Sequence, residues 1–443
     1  MKTFITLLTF LSLSLYAQEE QLLIGISGRD LKPKIGIPLA GYGNTDRRLN
    51  DFFDWRFRYS EASLFKPSEG YHSPIRSKVM VLKKGSKNLV FISLDMIGTE
   101  DRFIKSLAKN LSIYGIDEKD IIVSATHTHG GPGTLSKRLP LMAIAVDFYR
   151  NKNYHDILSK VTNSVEVAIS KMRPAVLFKT KAVINGVQSN KWRRKNEEHY
   201  DKNASFLMAK DAGTNEWLGG LVNFSIHGGT MPESIMLYSS DVNGAIESEL
   251  EQYFAAQNGF SLEPTLLFMN GAEGDVGASV GRSVENVDLI GKKFIEEAIP
   301  QLTNERWSKV APEFSSVKKK IYIGQPLIPL NCQEGFLKKL PDWAKLNISF
   351  LLPTYSYISQ VKVGDILYLS WPGEASTQLG YNLQAVARQK GATDPIILGL
   401  TNDYMTYFTT ESEYIEKAYD SCSSIYGWKG GKRIIKEHNK LLE

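Results

Sequence analysis

Short runs of aliphatic and β-branched residues alternate along this chain with longer stretches in which apolar side chains recur every three or four positions. The first pattern predicts strands and the second predicts amphipathic helices. Runs at 22–27, 77–82, 88–94, 121–125, 177–184, 206–209, 218–226, 265–269, 315–323, 357–363, 366–370 and 396–400 read as strands. The pair at 77–82 and 88–94 is separated by Lys83, Lys84, Gly85, Ser86 and Lys87, which is a hairpin pattern. Helical spacing covers 102–114, where Phe103, Leu107 and Leu111 repeat, and again 154–171, 243–257, 284–298 and 377–390. Ser283 is placed to cap the helix at 284. The mixture predicts an α/β (mixed α+β) fold in one large body, with mixed sheets and surrounding helices. Residues 326–353 are the least regular stretch and read as an insertion or flap.

The first residues follow a different pattern. Lys2 precedes an apolar stretch from Phe4 to Leu15, and Ala17 offers a small residue for cleavage. This predicts an export signal over 1–17 and a periplasmic or secreted protein. Composition narrows the picture further. Fifty-three basic and 48 acidic residues give a net charge of +5, too mild to argue for nucleic acid. An isoelectric point near 8.8 permits loose attraction to anionic surfaces. Only two cysteines, Cys332 and Cys422, are present. They exclude a site built mainly of thiolates, so any metal would be held by His, carboxylate or other oxygen ligands. In an exported protein they could form one disulfide, if their Cα atoms come close enough.

Several predicted strands stop at residues able to do chemistry. His127 and His129 follow 121–125, and His227 follows 218–226. Asn270 to Asp275 follow 265–269, Glu374 follows 366–370, and Tyr404 to Tyr407 follow 396–400. Active sites of α/β proteins gather at strand ends, where loops vary over a rigid sheet. Thr126-His127-Thr128-His129-Gly130-Gly131-Pro132-Gly133 carries the most information. Two histidines two apart on an extended segment project to the same side. The glycines let a metal or an oxyanion approach the backbone. Structural histidine pairs share this spacing, and His227, beside Gly228 and Gly229, also fits a turn histidine. Asp241 or Asn243 fits the cap of the helix at 243. Glu374 lies where a helix dipole favours a carboxylate. It is also the oxygen ligand that would complete a His/His/Glu zinc set. Such a site lowers the pKa of bound water towards ~7 and supplies hydroxide at neutral pH. Gly274-Asp275-Val276-Gly277 lacks the Lys-Ser/Thr ending of a phosphate-binding loop.

Taken in order, these segments resemble the neutral/alkaline ceramidase family of zinc amidohydrolases. The matching pieces are Ala40-Gly41-Tyr42-Gly43, Thr126 to Gly133, Ser240-Asp241 after His227, Gly274-Asp275-Val276 and Pro372-Gly373-Glu374. They end with Asn402 to Thr410, Glu413-Tyr414 and Tyr419. The resemblance implies one catalytic domain over 18–443 and zinc (Zn2+) held by His127, His227, Glu374 and Tyr407. It implies that His129 and Tyr419 polarise the amide carbonyl and stabilise its oxyanion. The implied reaction is attack by zinc-bound hydroxide on ceramide or another N-acyl lipid, giving a fatty acid and a sphingoid base. The implied partner is that lipid or another N-acyl small molecule, with room for peripheral membrane contact. Three departures accompany the match. A serine expected before the Gly-Asp-Val turn is replaced by Gly271. An arginine expected after Asn185 is replaced by Gly186, with Arg193 or Arg194 as substitutes. An immunoglobulin-like domain common at the C-terminus of the family is not expected in this chain. These departures keep open a zinc amidase or esterase acting on another acyl substrate, and a non-catalytic lipid-binding protein on the same scaffold.

Overall fold

The computed structural model describes residues 20–43, 45–49, 59–192, 197–332 and 338–443. The proposed signal at 1–17 and the substitutes Arg193 and Arg194 lie outside them.

The main sheet contains β1 (Leu23–Asp30), β2 (Arg76–Lys84), β3 (Lys87–Leu94), β4 (Ile121–Ala125), β5 (Arg173–Val183), β6 (Asn203–Asp211), β7 (Trp217–Phe224) and β8 (Thr265–Asn270). Their order is β8-β7-β6-β5-β1-β2-β3-β4, and Ser308–Val310 pairs with β5 off this path. Neighbours run antiparallel except β7–β8 and β3–β4. A second sheet orders β9 (Phe314–Tyr322), β10 (Tyr355–Val363), β11 (Ile366–Ser370) and β12 (Asp394–Leu398), with its last pair parallel.

Side-chain alternation along the strands fixes the layers. Val79, Val81, Val90 and Ile92 face helices α1 (Asp101–Leu111) and α2 (Asn151–Ser170). Their neighbours Met80, Leu82, Leu89 and Phe91 point the other way and pack on Val361, Val363, Tyr368 and Leu398 of the second sheet. Helices α3 (Asp241–Gln257) and α4 (Val284–Ala298) cover the other half of the main sheet around Phe224, Ile246, Phe268 and Phe294. Helices α5 (Thr377–Gln389) and α6 (Trp428–Leu441) close the outer face of the second sheet around Leu369, Leu383 and Ile434. The molecule is therefore layered helix, sheet, sheet, helix, and the mixed α/β expectation holds.

Ser283 caps α4 as expected, its side chain accepting from the Asn286 amide. Asp241 does not cap α3. It opens that helix with a left-handed φ of 54° and turns its carboxylate back to the amides of Thr230 and Met231. Residues 327–329 and 345–347 of the irregular stretch form a small hairpin. The Cys332–Cys422 disulfide, with Cα atoms 5.7 Å apart, ties it to the helix Tyr419–Ser423. No described helix is long and apolar enough to cross a membrane.

Strand ends converge because the chain after β12 links the two sheets. The Ala125 amide donates to Leu400 O, and the Gly399 amide donates to Asn270 O. Asn402 accepts from the Val123 amide through its side chain at 2.8 Å. The ends of β4, β7, β8, β11 and β12 thus meet at one place.

Candidate metal centre

His127 leaves β4 in the left-handed region, with φ of 65°, not in the extended form expected from sequence. Its backbone amide is held by Met96 O, and the turn swings the ring inward. A left-handed β-strand exit is strained for a residue with a Cβ, and such strain concentrates at functional sites. His129 nevertheless converges on the same point. Its ring centroid lies 5.2 Å from those of both His127 and His227, and His127 and His227 lie 4.4 Å apart. Asn270, at the end of β8, braces both arms. Its amide nitrogen donates to Thr126 O at 3.2 Å and Ile226 O at 3.0 Å, the residues preceding the two histidines. Gly41 lies flat on the third: a Cβ there would sit 2.6 Å from His129 Nδ1.

The carboxylates arrive from the second sheet and from the turn after β8. Glu374 pairs in register with Tyr407 in a short parallel bridge. Gly373 makes this possible, because at its φ of 149° a Cβ would meet Thr406 O at 2.4 Å. The Tyr404 hydroxyl donates to Glu374 Oε1 at 2.7 Å, and against the cost of burial His127 with the Tyr407 and Tyr404 phenols holds this carboxylate below its usual pKa. The Gly274 amide bonds Ala375 O at 2.8 Å, docking the Gly-Asp-Val turn beside it. That turn carries Glu273, whose Oε2 lies 2.9 Å from His227 Nδ1.

His127, His227, Glu273 and Glu374 are all buried, and their ligand atoms lie within 4.8 Å of one another. His127, His129 and His227 satisfy the same limit. The donor chemistry suits a metal ion. His127 Nδ1 faces Ile97 O at 2.6 Å, a contact the ring can make only by donating its proton there. That leaves the Nε2 lone pair 3.2 Å from Glu374 Oε2. A lone pair and a carboxylate tolerate that distance only with positive charge between them, a proton or a cation. His227 and His129 face each other through Nε2 atoms 3.2 Å apart. Glu374 Oε2, Glu273 Oε1 and His129 Nδ1 are buried without a directed hydrogen bond. Buried polar atoms are rarely left so.

The electrostatics agree. Burial, reinforced by neighbouring cations, holds His129 and His227 well below the usual imidazole pKa, so both are neutral and able to ligate. Burial also disfavours a charged His127, but Glu374 outweighs it and raises that pKa. Burial pushes Glu273 up to about 8. The phenols of Tyr404 and Tyr407 are raised well above 10, burial first and then Glu374.

The structure therefore brings together His127, His129, His227, Glu374 and Tyr407. Tyr419 stands at the rim, 58 % exposed, its ring 5.8 Å from that of Tyr407 and 4.6 Å from that of Trp192. Sequence reasoning placed Asn270 to Asp275 and Tyr404 to Tyr407 among the candidate strand ends but gave Glu273, Asn270 and Tyr404 no role in the site. Their position in strand-end turns was the available signal. The hydroxyl sought at Gly271 has no room there, since a Cβ would lie 2.2 Å from Ser225 Oγ. Gly186 is a left-handed turn residue with open space around it.

Fold and site define an α/β protein with a buried histidine–carboxylate group of the metal-ligating kind at its strand ends. The family profile described as neutral/alkaline non-lysosomal ceramidase, N-terminal, matches residues 59–328 and 343–435, and the chain belongs to that family. The neutral ceramidase of Pseudomonas aeruginosa is 23% identical over 83% of this chain and 66% of its own length. That of Mycobacterium tuberculosis is 22% identical over 88% of this chain and 71% of its own. The chain thus spans about two thirds of the length of these relatives. The crystal structure of neutral ceramidase from Pseudomonas aeruginosa superposes with a TM-score of 0.79 at 17% identity, covering 96% of this chain and 74% of that one. A ceramidase complexed with C2 gives 0.77 at 17% identity, covering 95% and 76%.

Proposed function

We propose that the chain is a zinc-dependent amidohydrolase of the neutral ceramidase type, cleaving the amide bond of an N-acyl lipid with ceramide as reference substrate. The observation that carries this reading is the convergence of His127, His227, Glu273 and Glu374 on one buried point, with Glu374 Oε2 and Glu273 Oε1 left without a hydrogen bond and Tyr407 bridged to Glu374 alongside. His127, His227, Glu374 and Tyr407 would hold the zinc. When bound, zinc supplies a strong nucleophile from water at neutral pH and polarises a carbonyl.

The remaining residues supply position and hydrogen-bond donors. Glu273 fixes the His227 ring through Nδ1, and Tyr404 fixes Glu374 through Oε1. Such outer contacts set ligand orientation and basicity. His129 is neutral at physiological pH and lies against the ligand group, so its one N–H can polarise the amide carbonyl and meet the developing oxyanion. Tyr419 reaches the mouth of the site, where its hydroxyl can meet the developing oxyanion. In the overall step the C–N bond breaks, the acyl carbon gains hydroxyl and the nitrogen gains hydrogen. Export to an oxidising compartment fits the Cys332–Cys422 disulfide.

Incubating zinc-loaded protein with a mixed lipid extract, and identifying products by mass spectrometry, tests the reaction. A free fatty acid and a long-chain amine are expected. Zinc-loaded, folded protein that releases neither, but binds lipid saturably, would establish the non-catalytic alternative.

A further inference from the structure

Lys191 is a charged group near this site that the proposed hydrolysis leaves unused. It follows Gln188–Asn190, a short strand paired with Val276–Ala278, and its amide donates to Asp275 O at 2.8 Å. The Gly-Asp-Val turn that delivers Glu273 therefore positions this lysine as well. Its ammonium lies 4.7 Å from the Trp192 ring, and Trp192 packs on Tyr419 at 4.6 Å. Trp192 is itself fixed by donating to Gly274 O at 3.1 Å. The lysine thus stands beside the aromatic wall that leads from the rim to Tyr407.

Lys191 is half-buried, and among the described residues its ammonium has the Trp192 ring but no hydrogen bond and no ion pair. An unpaired, partly desolvated cation is costly. Its field reaches His129, His227, Glu273 and Glu374. It is also repelled by Arg282, a second cation acting on the same histidines. Arg282 already has a partner, Glu233 at 2.6 Å. Glu374 and Glu273 are the carboxylates that draw Lys191 most strongly, with Asp420 a weaker one. A divalent ion held by Glu374 would offset the attraction of that carboxylate for Lys191.

We propose that Lys191 is a specificity-determining residue that selects N-acyl amides carrying an anionic group, a carboxylate, phosphate or sulfonate, close to the scissile bond. This rests on the amidohydrolase reading of the site and names its substrate class. A neutral ceramide would leave the ammonium unanswered, whereas an anionic relative would complete it.

The test uses zinc-loaded full chain and matched substrate pairs. N-lauroylserine and N-lauroylethanolamine differ by one carboxylate, and ceramide 1-phosphate and ceramide differ by one phosphate. In the wild type, kcat/KM favours the anionic member of at least one pair, and which pair identifies the anion. In Lys191→Met that preference falls about tenfold or more, mainly through KM, while Lys191→Arg keeps it. Zinc content and circular dichroism establish that both variants fold. Binding of sphingosine 1-phosphate against sphingosine, measured by calorimetry, gives the same comparison without turnover. Equal use of both members, or a preference untouched in Lys191→Met, overturns the proposal. Absence of all hydrolysis with zinc bound overturns the amidohydrolase reading instead, and the calorimetric pair then still decides the role of Lys191.

Discussion

His127 and His438 are both buried histidines, and they show opposite ways of living inside a protein. His438, on α6, has every polar atom answered. Its Nε2 lies 2.9 Å from Ser370 O, and its Nδ1 lies 3.3 Å from the Gln360 amide nitrogen. Among the described residues no carboxylate acts on it, and burial drives its pKa down to about 4. His127 uses one nitrogen on Ile97 O and aims the other at Glu374, among two further imidazoles and a second carboxylate. A satisfied, neutral histidine glues α6 to the second sheet. A histidine whose remaining lone pair faces a carboxylate is arranged for a cation. Burial is common to both, so burial does not separate them; the unanswered atoms do.

The largest expected difference between the two comes from truncation. His127→Ala should abolish both metal binding and hydrolysis, whereas His438→Gln should leave metal content unchanged. Metal analysis of both purified variants checks this. Next in size is His129→Ala, expected to keep the metal and lower kcat by roughly 10²–10³-fold, the usual cost of losing a group that acts in the transition state. If His129→Ala instead loses metal, His129 belongs with the ligands and the comparison must be redrawn. Glu273→Gln should weaken metal affinity by about 10–100-fold, because the His227 ring loses the carboxyl group that fixes its Nδ1. A chelator competition titration measures it, and an unchanged affinity would reduce Glu273 to packing.

The remaining prediction concerns pH and stability rather than the metal. His438 binds a proton near pH 6.5 when unfolded and only near about 4 when folded. Its depressed pKa therefore costs nothing above pH 6.5. As pH falls from 6.5 towards 4, the unfolded chain takes up a proton that the folded chain refuses, and stability is lost. For a fully buried group the loss approaches ~3 kcal/mol. Denaturant melts of chelated wild type and His438→Gln at pH 7 and pH 4.5 should show a shallower loss in the variant.

Much of the frame was legible from periodicity. The alternation of Val79, Val81, Val90 and Ile92 with Met80, Leu82, Leu89 and Phe91 predicts strands, and the two sets occupy opposite faces of the main sheet. Helix α6 was not anticipated, because Gly430 and Gly431 open it and its exposed face is crowded with lysines. In the site, the series of motifs picked out the four proposed zinc ligands, but local spacing misjudged how His127 gets there. The left-handed exit is imposed by contacts with Met96 and Ile97, far away in sequence. The roles of Glu273 and Asn270, within the candidate segment Asn270 to Asp275, were hidden for the same reason: their partners, His227, Thr126 and Ile226, come from other strands. The reading of Gly271 as a lost hydroxyl could not foresee that Ser225 fills the space.

The central claim is that the buried histidine–carboxylate group binds zinc. Native mass spectrometry of the purified full chain, supplied with zinc and then desalted, tests it most directly. One zinc per chain is the expected result. A folded chain that carries no zinc under these conditions would contradict the claim.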